Sequence, residues 1–356
     1  MKVLITGVCG FVGSVIAREL AAQISGIEII GIDNLSRSGS ELNRQALRQE
    51  GFNILHRDVR NASDLEILPK VDWIIDAAAN PSVLAGVSGS TTSRQLIEHN
   101  LIGTINLLEL CKNSQCGFVM ISTSRVYSQS ALAELPLLCT GDAFVPDMKR
   151  IDVRGISAAG VDETFSTNAP LSLYGASKLA SEVLVLEYGA AFQLPVYVNR
   201  CGLLAGAGQF GKPDQGIVAF WIHAHRARKP LKYIGFEGSG AQTRDCLHPR
   251  DLASLLFKQM LSGGKHAGGI VNVSGGMAHS FSLAQLSDWC ASRFGAHEIG
   301  RDPRNRPFDI PWLVLDSARA EQLWDWRPAT SLDYIFNEIA EHAASHPEWL
   351  EVSRDS

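Results

Sequence analysis

The sequence predicts an α/β fold: a doubly wound parallel sheet with a smaller C-terminal substrate-binding lobe. Three observations predict it. Short apolar runs alternate with helix-period patterns through the first half of the chain. The first run, Val3-Leu4-Ile5, breaks into Thr6-Gly7-Val8-Cys9-Gly10-Phe11-Val12-Gly13 and then into a helical pattern at Val15, Ile16 and Leu20. A second run, Ile29-Ile30-Gly31-Ile32, ends in the acid Asp33.

The glycines carry a physical reason. Gly7 and Gly10 remove Cβ atoms where a pyrophosphate must approach the backbone, and Gly13 lets helix and strand pack closely. The free N–H groups and positive dipole end of the new helix then face the phosphates. This is the dinucleotide loop of a Rossmann-type domain; its plain alternative is a tight turn. An acid at the tip of the second strand suits the adenosine ribose hydroxyls. A carboxylate there repels a 2′-phosphate, so NAD is expected over NADP, although Arg37 lies close by and works against that preference.

Further elements follow in order. After the polar turn Asn34 to Ser40 comes a helical stretch to about Gln49, then a third strand, Phe52 to Leu55, closed by His56-Arg57-Asp58-Val59. Asp58 sits where its side chain or its neighbour's backbone meets an adenine, or simply in a surface turn. Trp73 to Ile75 reads as a fourth strand buried on both faces, and Asp76-Ala77-Ala78-Ala79 leaves room for a ligand beside its end. A helix is expected from Thr91 to Cys111, then a fifth strand from Phe118 to Ile121 ending in Ser122-Thr123-Ser124. Between Tyr127 and Leu171 the pattern dissolves, as functional or disordered connections do. It resumes with a helix from Ser172 to Ala191 and a strand at Val196 to Val198. The division expected is residues 1–200 as the dinucleotide-binding domain and 201–356 as mainly the substrate lobe, with some segments returning to the first domain.

Bulk properties exclude other classes. Of 356 residues, 46% are hydrophobic and 19% charged, an ordinary globule with a sizeable core. A net charge of −5 provides no basic field for nucleic acid or an anionic membrane. No apolar run approaches a bilayer's thickness. The start of the chain runs directly into a strand, so no cleavable signal is expected. The seven cysteines, without a paired CxxC, read as free thiols in a reducing compartment, hence a cytoplasmic location. The cysteines, His223 and His225 show no zinc spacing, so no metal site is expected.

The chemistry concentrates in Tyr174-Gly175-Ala176-Ser177-Lys178. Residues four apart on a helix share a face. A phenol is a poor base at neutral pH, and a nearby ammonium together with a positively charged nicotinamide pulls its pKa toward the working range. The same Lys178 suits the nicotinamide ribose, and Thr123 at a strand end supplies a hydroxyl to share the substrate's proton.

These residues bring out a family. The sequence resembles the extended short-chain dehydrogenase/reductase superfamily, within it the nucleotide-sugar epimerases and dehydratases. The resemblance rests on the glycine loop, Asp33-Asn34, Asn100 with Gly103-Thr104, Ser122-Thr123 with Val126-Tyr127, Tyr174 with Lys178, and Arg244-Asp245 followed by His248 and Asp251. It implies Thr123, Tyr174 and Lys178 as catalytic residues. It implies cofactor contacts from Gly7, Gly10, Phe11, Val12, Gly13, Asp33, Asn34, Asp58, Val59, Ala77, Ala78, Ala79, Asn100 and Ser122, besides Tyr174 and Lys178. Gln209 to Gly216 and Gly238 to Asp245 look like the CDP-paratose (CDP-tyvelose) 2-epimerases. Dehydratases of the family carry an Asp-Glu pair after the catalytic Thr; here Ser124-Arg125 stands there, which favours epimerisation or simple redox. The departures are Ser128 for the usual glycine, Asp76 for the usual histidine and Pro311 near the usual pyrophosphate arginine, with Arg304 and Arg306 nearby.

The remaining candidates stay two-sided. Gln209, Phe210 and Gln215 line a sugar or base pocket, or pack a loop. Arg244 holds a phosphate or ribose, or pairs with Asp245. Trp221, Trp324 and Trp326 belong to the core or an interface. The expected function is an NAD-dependent nucleotide-sugar epimerase, with a nucleotide-sugar (CDP- or UDP-linked) substrate and a homodimer built on the two long helices. The alternatives are a UDP-sugar 4-epimerase, a nucleotide-sugar reductase or dehydratase, and, from another class, a non-catalytic dinucleotide sensor.

Overall fold

Five strands open the chain: β1 (Lys2–Thr6), β2 (Glu28–Asp33), β3 (Asn53–His56), β4 (Trp73–Asp76) and β5 (Gly117–Thr123). Together with Val196–Cys201 and Gly269–Val273 they form one sheet, parallel throughout, ordered Gly269–Val273, Val196–Cys201, β5, β4, β1, β2, β3. The computed structural model describes residues 1–87 and 91–353. β4 and Val196–Cys201 are buried at every position, as strands covered on both faces must be. One face packs helix α1 (Phe11–Gln23) and helix Pro249–Leu261 over Ile5, Ile16, Leu20 and Leu252. The other packs helices Gly103–Ser114 and Leu173–Phe192 over Leu4, Leu107, Phe118 and Val185. Winding reverses between β1 and its neighbour β4, so ligands are expected outside their carboxyl ends.

Two long elements differ from their sequence reading. The expected Thr91–Cys111 helix runs from Ser93 to Ser114 and contains a π-helical turn at Glu98–Ile102. It starts where Thr92 and Gln95 form a capping box. The second helix is Leu173–Phe192, begun by the Ser172 side chain accepting from Gly175 N at 3.0 Å. Both leave apolar side chains in solvent: Ile102, Val183 and Phe192 are 39%, 53% and 40% exposed.

The segment without periodicity is ordered. It holds a short helix (Gln129–Ala133), the hairpin Leu137–Thr140 with Ala143–Pro146, and the pair Ile156–Ser157 with Gly160–Val161. These elements are too short to show a period, and they are held by distant partners. Leu132, Val161 and Phe165 pack on Trp312 to Leu315, and Val161 exchanges backbone hydrogen bonds with Val314 and Asp316 at 2.8 Å each.

The second lobe gathers helices Ile217–Arg226, Leu283–Phe294 and Leu332–Ser345 around Trp221, Phe281 and Phe336. Strand Thr243–Leu247 lies between Ser280–Ser282 on one side and Leu203–Leu204 and Trp312–Leu313 on the other. Trp324 and Trp326 belong to the core of the central sheet. All seven cysteines are free, with only Cys139 exposed. Among the described residues no helix is long and apolar enough to cross a membrane, and no cluster of His, Cys, Asp and Glu is arranged to hold a metal ion.

Candidate active site

A cavity of about 410 Å³ lies where Gly7, Asp33, Ala77, Ser122 and Cys201 end or follow five parallel strands. Its floor is the glycine turn. Gly7 has φ +62, and a Cβ on it would lie 2.9 Å from Ala78 Cα; a Cβ on Gly13 would lie 2.3 Å from Gly7 O. Thr6 explains how the two strand ends stay together. Its hydroxyl accepts from Ala77 N and Ala78 N (3.1 and 3.0 Å) and donates to Asp76 Oδ1 (3.0 Å). Phe11, Val12, Asn34, Val59 and Ala79 complete the wall on this side. The residues fit NAD: backbone free of Cβ atoms at the start of α1, and a carboxylate at the end of β2.

Asp33 is anchored to the turn, its two oxygens accepting from Cys9 N (2.9 Å) and Leu35 N (2.8 Å). Burial nevertheless pushes its carboxyl above the usual range. Asp58 lies behind the wall rather than on it. Burial would raise its pKa, but the Arg60 fork (Nη2 at 2.6 Å) and the Asn34 amide (3.2 Å) outweigh burial and hold it near about 2. Its role in the structure is to fix the turn that presents Val59.

Arg37 is engaged elsewhere than the sequence suggests. It donates to the Gln215 side chain and, at 2.7 Å, to Phe210 O. Phe210 lies on Gly39 and stacks on Trp349 with centroids 5.2 Å apart, and the Trp349 indole donates to Gln209 O at 2.9 Å. Ser82 adds a bond to Asp214 at 3.2 Å. The loop from Gln209 to Gly216 is thereby strapped across the cavity from the second lobe, and the guanidinium expected near a 2′-phosphate is held by that strap.

At the opposite end stand Thr123 and Tyr174. β5 carries Thr123 to the cavity wall, where its side chain acts on the Tyr174 phenol and accepts from Arg125 N at 3.2 Å. Gly175 lets helix Leu173–Phe192 approach, since a Cβ there would lie 2.1 Å from Arg125 O. Burial pushes the Tyr174 phenol up to about 12, while the Thr123 hydroxyl and the Arg125 charge oppose it. The Arg125 guanidinium, not singled out by the spacing of Tyr174 and Lys178, is a cation acting on the phenol. Lys178 lies behind the cavity wall, 2% exposed. Asn100 is also buried behind it, donating to Ser177 Oγ (3.1 Å) and Asn80 O (3.1 Å) and accepting from Asn80 N (2.8 Å).

A second cavity of about 430 Å³ opens from the first, sharing Arg125, Leu203, Asp214, Gln215, Gly216 and Arg244 as common wall. Its sides are Phe220, Trp221, Ile234 and Phe281, with Lys232, Arg306 and Asp309 at the polar end. Arg244 does not pair with Asp245. Adjacent residues of a strand face opposite ways, so Arg244 reaches Asp309 (3.6 Å) and Ile310 O (2.6 Å), whereas Asp245 accepts from Gly276 N and Leu315 N. Burial and the neighbouring Arg125 lower the Arg244 guanidinium to about 10. His248 caps helix Pro249–Leu261, accepting from Arg250 N, and Asp251 holds Thr330. Arg304 is bound to Asp302, while Arg306 donates to Pro213 O and lines the second cavity. Sequence reading missed Arg125 as a cavity residue and the aromatic walls, which converge from separate helices and strands and leave no local spacing to detect.

This architecture defines a class: a dinucleotide-dependent enzyme with a Thr–Tyr hydroxyl pair at the junction of a cofactor cavity and a second ligand cavity. The chain belongs to the NAD dependent epimerase/dehydratase family, whose model matches residues 3–274, and its cofactor is NAD. It is 32% identical over 349 residues to CDP-paratose 2-epimerase of Salmonella typhi, covering 93% of this chain and 96% of that one. It is 26% identical to UDP-glucuronate 4-epimerase of Thermodesulfobacterium geofontis, over 93% and 92% of the two chains. Among solved structures, UDP-glucuronic acid 4-epimerase from Bacillus cereus, in complex with UDP-glucuronic acid and NAD, shares the fold with a TM-score of 0.79. At 23% identity, that match covers 97% of this chain and 99% of the other.

Proposed function

We propose that the protein is an NAD-dependent epimerase of a nucleotide sugar, acting at carbon 2 of a CDP-hexose through a transient ketone. The observation that carries this reading is the placement of Thr123 and Tyr174 together on the wall of the first cavity, with Arg125 lining both cavities beside them. NAD, when bound, supplies the acceptor and donor of hydride. Tyr174 takes the proton of the sugar hydroxyl as the ketone forms and returns it when the opposite face is reduced, while Thr123 holds the sugar oxygen. Arg244 and Arg125 both face Asp309, and two guanidinium groups side by side on the wall shared by the cavities suit the substrate's diphosphate. Neither Ser124 nor Arg125 offers the acid and base that elimination of water requires, which favours epimerisation over dehydration. Support for the CDP-hexose comes from the similarity to the Salmonella enzyme.

The test is incubation of purified protein with CDP- and UDP-hexoses, with products resolved by NMR. Inversion at carbon 2 of a CDP-hexose is expected. Inversion at carbon 4 of a UDP-sugar replaces this substrate by the alternative one, a dehydrated product replaces the reaction type, and no product from any nucleotide sugar supports the sensor reading.

Ile102, Val183 and Phe192, exposed on the two long helices, favour a homodimer joined through them. Sedimentation at twice the chain mass is expected; a monomer at micromolar concentration contradicts it.

A further inference from the structure

Helix Leu173–Phe192 carries Tyr174, and it is tied to the central sheet through one buried carboxylate, Glu182. Tyr174, Lys178 and Glu182 stand four residues apart, so they share one face of the helix, and all three are buried. Arg200 grips Glu182 through Nη2 at 2.8 Å and Nε at 3.2 Å to each oxygen, and the Ser122 hydroxyl donates to it as well. Ser122 and Arg200 are register partners on β5 and strand Val196–Cys201, so the carboxylate bridges the seam between two strands. The next pair in that register is Thr123 and Cys201, and both line the cofactor cavity. Glu182 therefore meets the sheet one residue before the strand ends where the chemistry is placed.

The cationic end of the tie is itself held. The Arg200 guanidinium lies over the Tyr127 ring, 5.1 Å from its centroid, and the Tyr127 hydroxyl donates to Asn272 at 2.6 Å. Asn272 is the register partner of Arg200 on strand Gly269–Val273, so the frame spans three strands. Other side chains of the helix bond to the neighbouring helical stretch 93–114, Ser177 and Ser181 to Asn100 and Tyr188 to Glu109. Among the described hydrogen bonds, those joining side chains of this helix to the central sheet all end on Glu182. Stability alone does not account for such a pair. Burying two charges costs about as much as their attraction returns, and apolar side chains of similar volume fill a core as well.

We infer that Glu182 is a positioning residue for the reaction: its bonds to Arg200 and Ser122 set the place of Tyr174 relative to Thr123. The inference rests on the reading of Tyr174 and Thr123 given above. Eight residues, about 12 Å of helix, separate Glu182 from Tyr174. At the Tyr174 end the close approach of Gly175 to Arg125 O sets how near the helix comes to the loop after β5. Glu182 is the second point of attachment, and two points set the angle at which the tyrosine is presented. A reacting group misplaced by about 1 Å loses on the order of 100-fold in rate. The walls of the second cavity come from other elements, so the loss falls on kcat rather than KM.

The test replaces the ionic tie by an apolar one, Glu182→Leu together with Arg200→Met, and measures kcat, KM, NAD affinity and thermal unfolding. The double variant should unfold at or near the wild-type temperature. Its KM and NAD affinity should stay within about threefold of wild type, while kcat falls by about tenfold or more. Crystals of the variant with NAD should show Tyr174 displaced from Thr123 by about 0.5 Å or more relative to wild type. Should the double variant not fold, Arg200→Lys keeps the charge but loses the fork, and the same fall in kcat and displacement are expected in it. A folded variant with wild-type kcat, or with Tyr174 unmoved, overturns the inference, as does a loss confined to stability or to KM. The crystallographic comparison needs no substrate. A displaced Tyr174 in a protein that turns over no nucleotide sugar therefore leaves the tie standing and removes only the epimerase reading.

Discussion

Tyr174→Phe is expected to reduce turnover by ~10³-fold or more, within the range general acid–base groups supply, while the protein still binds NAD. The phenol oxygen is the group proposed to exchange a proton with the sugar hydroxyl: it shares the cavity wall with Thr123, and burial pushes its pKa up to about 12. The ring is only 8% exposed and packs with Leu96 and Ala85, so a phenylalanine keeps the packing and deletes only the oxygen. The high pKa has a consequence for pH. A phenol that must act as a base is raised by burial, so activity should climb with pH through the alkaline range and level off once the pH passes the phenol's pKa in the NAD complex, where the cofactor's positive charge holds that pKa below its cofactor-free value. Titrating kcat with saturating NAD checks both points. A Phe variant with activity within tenfold of wild type contradicts the assignment.

Gly13→Ala should give the second large loss. The added Cβ meets Gly7 O at 2.3 Å, Gly7 C at 2.9 Å and Val8 Cα at 2.8 Å, all of them backbone atoms that cannot rotate away. Either the turn or α1 must shift, at a cost of about 1–3 kcal/mol in stability as in other overpacked interiors. The same shift displaces the amides that face the pyrophosphate, so NAD affinity should fall on the order of 100-fold, equivalent to about 2.7 kcal/mol. Gly10→Ala is the informative contrast. Its Cβ meets only Gly7 O, at 3.1 Å, and Gly10 already has the extended backbone of an N-cap, so the fold should hold while NAD binding weakens. Thermal unfolding and NAD titration of the two variants separate these effects. Wild-type affinity in Gly13→Ala contradicts the placement of the pyrophosphate.

The features legible in the sequence are those made by neighbours in the chain. The glycine turn, the acid at Asp33, the small residues after β4, Thr123 at a strand end and the Tyr174–Lys178 spacing each declare themselves within eight residues or fewer, because strand and helix periods set their geometry. What escaped depends on partners far along the chain. Arg37 meets Phe210 and Gln215 across the lobes. The hairpins before Tyr174 are held by Trp312 to Leu315. Strand Gly269–Val273 is a short run whose place beside Val196–Cys201 no local pattern reveals. Arg244 lies next to Asp245 in sequence yet turns to Asp309, since a strand sends adjacent side chains to opposite faces. The π turn at Glu98–Ile102 is likewise invisible to apolar periodicity, although it seats Asn100 against Ser177.

The account's central claim is that the inverted carbon loses and regains its hydrogen inside a closed site, with Tyr174 handling only the hydroxyl proton. The most direct measurement is turnover of the accepted nucleotide sugar in D2O, followed by mass and NMR analysis of the epimer. The account predicts an epimer with no deuterium at the inverted carbon and no accumulated NADH. Deuterium at that carbon would contradict it, because inversion would then proceed by exchange of a carbon-bound proton with solvent.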